Sequence, residues 1–312
     1  MKDQLVKALA CNNHVRLYAV CSTAMVQEAK DRFDLYPTPA AALGRVLSVA
    51  SIMGSMLKSE QEMLTINIEG GGPIGSIVVD AYANGNVRGF VSNPHAEAPS
   101  KPDGHLNVGA VVGNMGVLTV TKDLSMEENW SGSVELQSGE IGEDFAYYFT
   151  LSEQTPTAVS VGVKVGTDGN IISAGALVMQ IMPNAEEADI VMCEHVLSGL
   201  KPMSQIVEEY SDASMSEFVS ALFDDVKVLT DQPVAFKCTC SKEKTEELLK
   251  TVSPKELKAM VEEDKGAEVT CHFCNTVYNF SEDELRKILE ETEKNLEETQ
   301  ELEDHVVSDS GC

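Results

Sequence analysis

The residues in this chain best suited to chemistry are cysteines. FKCTCSKEK (236–244) sets Cys238 and Cys240 one residue apart, and after 30 intervening residues CHFC places Cys271 and Cys274 in a second close pair. Two close thiol pairs separated by an insert form the ligand set of a tetrahedral zinc ion, so one Zn(II) per chain is expected in the reduced state. Sulfur would fill all four positions and leave none for a bound water, which argues against hydrolytic chemistry. Thiolates are also oxidisable, and a disulfide cannot serve as the same anionic ligand, so an oxidant would release the ion. His272 lies inside CHFC but is expected to face solvent, because four thiols already complete the tetrahedron.

The stretches around these cysteines must position them. Val269-Thr270 and 277–280 (VYNF) read as short strands that turn at Cys271–Cys274, and Ser253-Pro254-Lys255-Glu256 opens a helix that Gly266 can close. The core available to residues 231–280 is thin: Leu248, Leu249, Val252, Leu257, Met260, Val261 and Phe280. A structural zinc contributes about 10–16 kcal/mol in small peptides. That equals or exceeds the roughly 5–15 kcal/mol of a whole domain. Removing the metal should therefore unfold this piece.

Upstream, LTINI (64–68), SIVVDAY (76–82), NVRGFV (86–91), GVLTVTK (116–122), GSVELQ (132–137) and AVSVGVKV (158–165) show β-branched content or period-2 alternation. Asn84-Gly85 marks a hairpin turn. Helices are predicted over 39–57, with Thr38 as N-cap and Pro39 first, and over 142–153. After Pro183 come short amphipathic helices. Met203, Ile206, Val207 and Tyr210 follow i, i+3, i+4, i+7; so do Met215, Phe218, Val219 and Leu222, behind a Ser214 to Glu217 capping box. Asp231-Gln232-Pro233 reads as a linker. Residues 281–312 carry 12 acidic and 3 basic side chains and are expected to form a solvated, fraying helix.

The expected fold is therefore α+β. An N-terminal domain (1–180) of mostly antiparallel sheet with packed helices precedes a helical middle segment (181–230). A four-cysteine zinc domain (231–289) and an acidic tail (290–312) follow. The 312 residues and 43% apolar content allow two or three such units. No signal-peptide core or membrane span is expected: Lys2, Asp3, Lys7 and Arg16 interrupt the first stretches and Arg45 the most apolar one. Cysteines without an export signal point to the reducing cytoplasm. A net charge of -27 repels phosphate backbones and anionic headgroups, so neither nucleic acid nor membrane is an expected partner.

Other signals carry less. GGGPIG (70–75) fits a dinucleotide-loop spacing, yet Pro73 interrupts it and a strand follows where a helix should begin, so a hairpin turn is expected. Cys11, Cys21 and Cys193 lie in apolar or periodic contexts as small hydrophobes, and Cys193, Glu194 and His195 diverge on a helix. Glu143, Asp144 and Glu153 are expected on a helix surface. Cys312 is a terminal thiol to which no role attaches.

FKCTCS together with VTCHFCNTVYNF resembles the heat shock protein 33 family of redox-regulated chaperones. The likeness continues through PTPAAALGRVL (37–47), EGGGPIGSIVVDA (69–81), NGNVRGFVSNP (84–94), FAYYFTLSEQTPTAV (145–159) and SAGALVMQIMPNA (173–185), in order over roughly residues 1–280. The resemblance implies a holdase rather than an enzyme, inactive while Cys238, Cys240, Cys271 and Cys274 are reduced and bind zinc. It implies activation by two disulfides, Cys238 with Cys240 and Cys271 with Cys274, with loss of zinc and loosening of the C-terminal half. The oxidised form would dimerise and bind unfolding polypeptides without ATP during oxidative stress. Met203, Ile206, Met215 and Phe218 are the candidate client-binding residues, since the stripes that pack as core in the reduced state would be bared in the oxidised one. Two rivals remain: a zinc-stapled binding module that never cycles, and a thiol-disulfide oxidoreductase. Charge opposes a nucleic-acid module, and the second lacks a CxxC opening a helix in a βαβ setting.

Overall fold

The computed structural model describes residues 2–126 and 128–309, with side chains to residue 295; Cys312 lies outside the described residues. The chain forms two compact units, one ending at Cys238 and one beginning at Thr239. The architecture is α+β with antiparallel sheets, as expected.

In the first unit, β1 (Gln4–Ala10), β2 (Val15–Cys21), β8 (Thr157–Val165), β9 (Ile171–Ile181) and β10 (Lys227–Pro233) form a sheet in the order β10-β1-β2-β9-β8. A second sheet, β5-β4-β3-β6-β7, is built from β3 (Met63–Glu69), β4 (Ser76–Tyr82), β5 (Val87–Val91), β6 (Val117–Asp123) and β7 (Trp130–Glu135). Helices α1 (Thr23–Phe33), α2 (Pro37–Ser55), α3 (Val108–Val112) and α4 (Gly142–Leu151) intervene between strands. Helices α5 (Glu187–Gly199), α6 (Met203–Glu209) and α7 (Met215–Ser220) precede β10.

The central strands of the first sheet, β1, β2 and β9, are largely buried on both faces, and their alternation sorts the core. Leu5, Val20, Ala174, Ala176 and Val178 pack with α1 and α2. Their neighbours Val6, Leu17, Ala19, Leu177 and Met179 pack with Cys193, Met203, Ile206, Met215 and Phe218 from α5, α6 and α7. Helix α2 is buried all round except at Arg45 and at its first residue, the exposed Pro37, and it meets β4 and β5 of one sheet and β8 and β9 of the other. Its Ala, Gly and Ser residues permit that approach: a Cβ on Gly44 would come within 2.6 Å of Val26. It begins at Pro37, two residues before the expected start, because a helix's first N–H groups need no intrahelical acceptor and Pro fits there.

The Asn84-Gly85 hairpin is present, with Gly85 at φ 76° and its N–H donating to Tyr82 O. GGGPIG joins antiparallel β3 and β4, as a hairpin loop should. Its glycines admit backbone rather than phosphate: a Cβ on Gly72 would lie 2.2 Å from Val111 O. Three expectations need correction. Asp231-Gln232-Pro233 is not a linker but the end of β10, paired with Gln4, Leu5 and Val6 of β1. Asp144 is not on a helix surface: it is 0% exposed, and its carboxylate accepts from the N–H groups of Gln137, Ser138, Gly139 and Ile141. Glu153 is likewise engaged, accepting from Tyr148 Oη at 2.9 Å and pairing with Lys122.

The second unit contains α8 (Lys242–Leu249), α9 (Pro254–Ala259) continued by a π-turn (Met260–Asp264), the hairpin β11 (Gly266–Thr270) and β12 (Val277–Ser281), and α10 (Glu282–Asp309). Ser253 caps α9 by accepting from Glu256 N, as its sequence predicts. Lys265, in the left-handed region at φ 53°, closes the helix one residue before the expected Gly266, which instead starts β11. Two core expectations also change. Leu248 is 66% exposed, whereas Leu285 and Ile288 of the charged helix are buried with Leu249, Leu257, Val261 and Phe280. The first turns of α10 are therefore core rather than solvated tail.

Candidate metal centre

Local hydrogen bonding sets each cysteine. Leaving β10, residues 235–237 run beside β5: Val87 N–H donates to Ala235 O at 3.1 Å and Lys237 N–H to Val87 O at 2.7 Å. Cys238 follows directly. Cys240 precedes Ser241, whose hydroxyl accepts from Lys244 N–H and caps α8. The second pair sits in the β11–β12 turn, closed by Cys271 N–H to Thr276 O (2.9 Å) and Asn275 N–H to Cys271 O (2.8 Å). Asn275 adopts φ 57°, which its short polar side chain tolerates.

The four sulfurs of Cys238, Cys240, Cys271 and Cys274 lie within 4.8 Å of one another. Cys240 Sγ and Cys274 Sγ are 3.3 Å apart. Sulfurs 2.3 Å from a central ion would form a tetrahedron with edges of about 3.8 Å, so the donor set fits Zn(II) in both chemistry and size. Cys274 is buried and the other three half-buried. His272 is exposed and outside this group.

The surroundings of Cys274 favour its thiolate. Burial opposes ionisation of Cys274, but bonding to the Thr276 side chain and backbone and to the Cys240 and Cys271 thiols brings it down to about 7. Thr276 Oγ1 lies 3.2 Å from Cys274 Sγ. Tyr278 Oη donates to Cys240 Sγ at 3.1 Å, and this bond, with partial burial, raises the Tyr278 hydroxyl above its ordinary range. Arg88 Nη1 donates to Cys238 Sγ at 3.7 Å. Sequence spacing could not find these three partners, since a hydroxyl or guanidinium near a thiol leaves no pattern. Only the position of Thr276 and Tyr278 in the hairpin hints at theirs. Helices α8 and α10 are linked on the surface by Lys242 to Glu284 (2.6 Å) and Lys250 to Glu291 (2.8 Å).

The other sequence-derived candidates lie apart from the sulfurs. Met203 and Met215 are 0% exposed, and Ile206 and Phe218 4%, all against the outer face of the first sheet. Cys193 is buried there too. Burial, with Cys11 and Asp189 nearby, pushes its thiol up to about 12, in keeping with an inert small hydrophobe. No helix among the described residues is long and apolar enough to cross a membrane.

Comparison with known proteins adds the following. Residues 3–281 match the model of the Hsp33 protein family. The chain is 46% identical over 293 residues to the 33 kDa chaperonin of Halalkalibacterium halodurans, covering 93% of this chain and 100% of that one. It is 47% identical over 292 residues to the 33 kDa chaperonin of Bacillus cytotoxicus, covering 93% and 99%. The crystal structure of the 33 kDa chaperonin, a heat shock protein 33 homolog, from Thermotoga maritima matches with a TM-score of 0.83 at 34% identity, covering 93% and 98%. These names denote chaperones and not enzymes.

Proposed function

The chain belongs to the Hsp33 family, and on that premise we propose that it is a redox-regulated, ATP-independent holdase of the cytoplasm. While reduced, Cys238, Cys240, Cys271 and Cys274 hold one Zn(II) and the protein is inactive. The bound ion supplies folding free energy to a region that lacks a large core. The observation that carries this reading is the convergence of four sulfurs within 4.8 Å in a region whose described core comprises six buried apolar side chains.

Activation is a thiol oxidation. Cys238 with Cys240, and Cys271 with Cys274, each form a disulfide by giving two electrons to one hydrogen peroxide, which takes two protons from solvent and leaves as two waters. The disulfide sulfurs are neutral and no longer bind the ion. Residues 231–289, the switch region, then lose their fold, while residues 1–180 persist as the chaperone core. Release of the segment 181–230 bares Met203, Ile206, Met215, Phe218 and the sheet beneath them. That apolar face takes up unfolding polypeptides, and oxidised chains pair as homodimers. The net charge of -27 keeps the loaded complex in solution and disfavours nucleic acid and anionic membranes.

One peroxide titration tests the reading by following zinc release, thiol count and suppression of a heat-denatured client's aggregation together. All three should change in step. Aggregation suppression as strong in the reduced, zinc-loaded protein as in the oxidised one would refute it. Replacing all four cysteines by Ser should abolish both metal binding and oxidant dependence. Turnover of disulfide substrates by the intact protein would favour an oxidoreductase instead.

A further inference from the structure

We propose that Arg88 reads the oxidation state of Cys238: its guanidinium fastens the thiolate and releases the disulfide, so the arm of residues 235–238 is held more firmly beside β5 while Cys238 is reduced. This rests on the four-cysteine switch proposed above and adds a positioning residue that is not a metal ligand.

The geometry starts from a buried carboxylate. Asp80 is 2% exposed and stands opposite Arg88 in the β4–β5 ladder. Arg88 Nε donates to Asp80 Oδ2 at 2.9 Å, Nη2 lies 2.8 Å from the same oxygen, and Thr65 Oγ1 donates to Oδ1 at 2.7 Å. An uncompensated buried carboxylate is strongly unfavourable, so Asp80 fixes the guanidinium whatever happens to the cysteines. From that fixed position Nη1 donates to Cys238 Sγ at 3.7 Å.

The adjoining residues make this bond consequential. Val87, next to Arg88, carries the two backbone bonds that hold residues 235–237 against β5. Asn86, on the other side of Val87, accepts from Ala235 N–H at 3.0 Å through Oδ1. Three consecutive residues, 86–88, therefore grip the arm that ends at Cys238. Two of them bond to backbone or amide groups that oxidation leaves unchanged. Arg88 alone of the three bonds to a group whose charge the oxidation removes. A guanidinium bonds strongly to an anionic sulfur and weakly to a neutral disulfide. Loss of one thiolate thus weakens the grip at its last residue.

The test compares wild type, Arg88→Gln and Arg88→Lys, each reduced with zinc and fully oxidised. Amide hydrogen exchange reports on Val87 and Lys237, and chelator competition with zinc alone reports affinity. In the reduced state Arg88→Gln should speed exchange at these two amides about tenfold. It should also weaken zinc binding about 10- to 100-fold, the usual effect of removing a partner of a metal ligand. Arg88→Lys should fall between, because one ammonium cannot serve both Asp80 and Cys238 as a fork does. After oxidation all three proteins should exchange alike at Val87 and Lys237. The double variant Asp80→Asn with Arg88→Gln leaves no lone buried charge and should show the same state-dependent shift, with the β3–β4 amides unchanged. Equal acceleration in both states, or unchanged exchange and zinc affinity, would overturn the proposal. Wild type that neither binds zinc nor forms the Cys238–Cys240 disulfide would instead remove the switch reading, and this inference with it.

Discussion

Leu285 offers a direct test of how metal and core divide the work of holding the second unit together. It is 0% exposed on α10, one of six buried apolar side chains in that unit's described core. Leu285→Ala removes three carbons from a closed site and should cost about 2–5 kcal/mol. If the metal-free unit is unfolded, metal binding and folding are one equilibrium, and the whole cost appears in the apparent zinc affinity. At about 1.4 kcal/mol per decade, affinity should fall from about 30-fold to several thousandfold. Leu248→Ala, at a side chain 66% exposed, is the matched control and should change affinity by less than about threefold. Competition against a chelator of known zinc affinity, in reducing buffer, measures both. Equal, small effects from the two variants would mean that the metal-free unit is already folded, and the argument that zinc supplies its stability would fail.

Two further outcomes follow from the first unit. Burial, with Cys11 and Asp189 nearby, raises the Cys193 thiol to about 12, so the folded state retains a proton that the unfolded chain loses above about 8.5. That stabilisation is complete below the unfolded value and is lost as pH rises towards 12; denaturant midpoints should drop more between pH 8 and 10.5 in wild type than in Cys193→Ala. Gly72→Ala should cost about 1–3 kcal/mol in denaturant unfolding, because its Cβ would meet Val111 O at 2.2 Å. A dinucleotide that raised the melting temperature of wild type but not of this variant would restore the phosphate-loop reading.

The parts legible in the sequence were those whose pattern is local. Strands with one polar face, such as β3 and β6, advertise themselves by alternation, and Ser214, Ser253 and the paired cysteines by fixed spacing. Strands β1, β2 and β9 escape that reading because these central strands pack apolar residues on both faces, which erases the period-2 signal. QLVKALA in β1 is also rich in helix formers, and sheet pairing overrides that preference. In α10 the buried Leu285, Ile288 and Thr292 lie at i, i+3 and i+7, but the acidic count of the segment hides so narrow a stripe. Asp144 looks like any surface carboxylate until the loop of residues 137–141 folds over it. The bond from Arg88 to Cys238 joins positions 150 apart and has no local trace at all.

The first sheet is clad by helices on each side, and the two claddings differ in kind. Helix α2 is embedded between strands of both sheets, whereas α5, α6 and α7 form an outer veneer. In the activation proposed above, the veneer leaves and the frame stays. Bringing it back to rest then requires re-laying three short helices and the edge strand β10 on nine strands that stay paired, a local event compared with rebuilding the long-range pairing of both sheets.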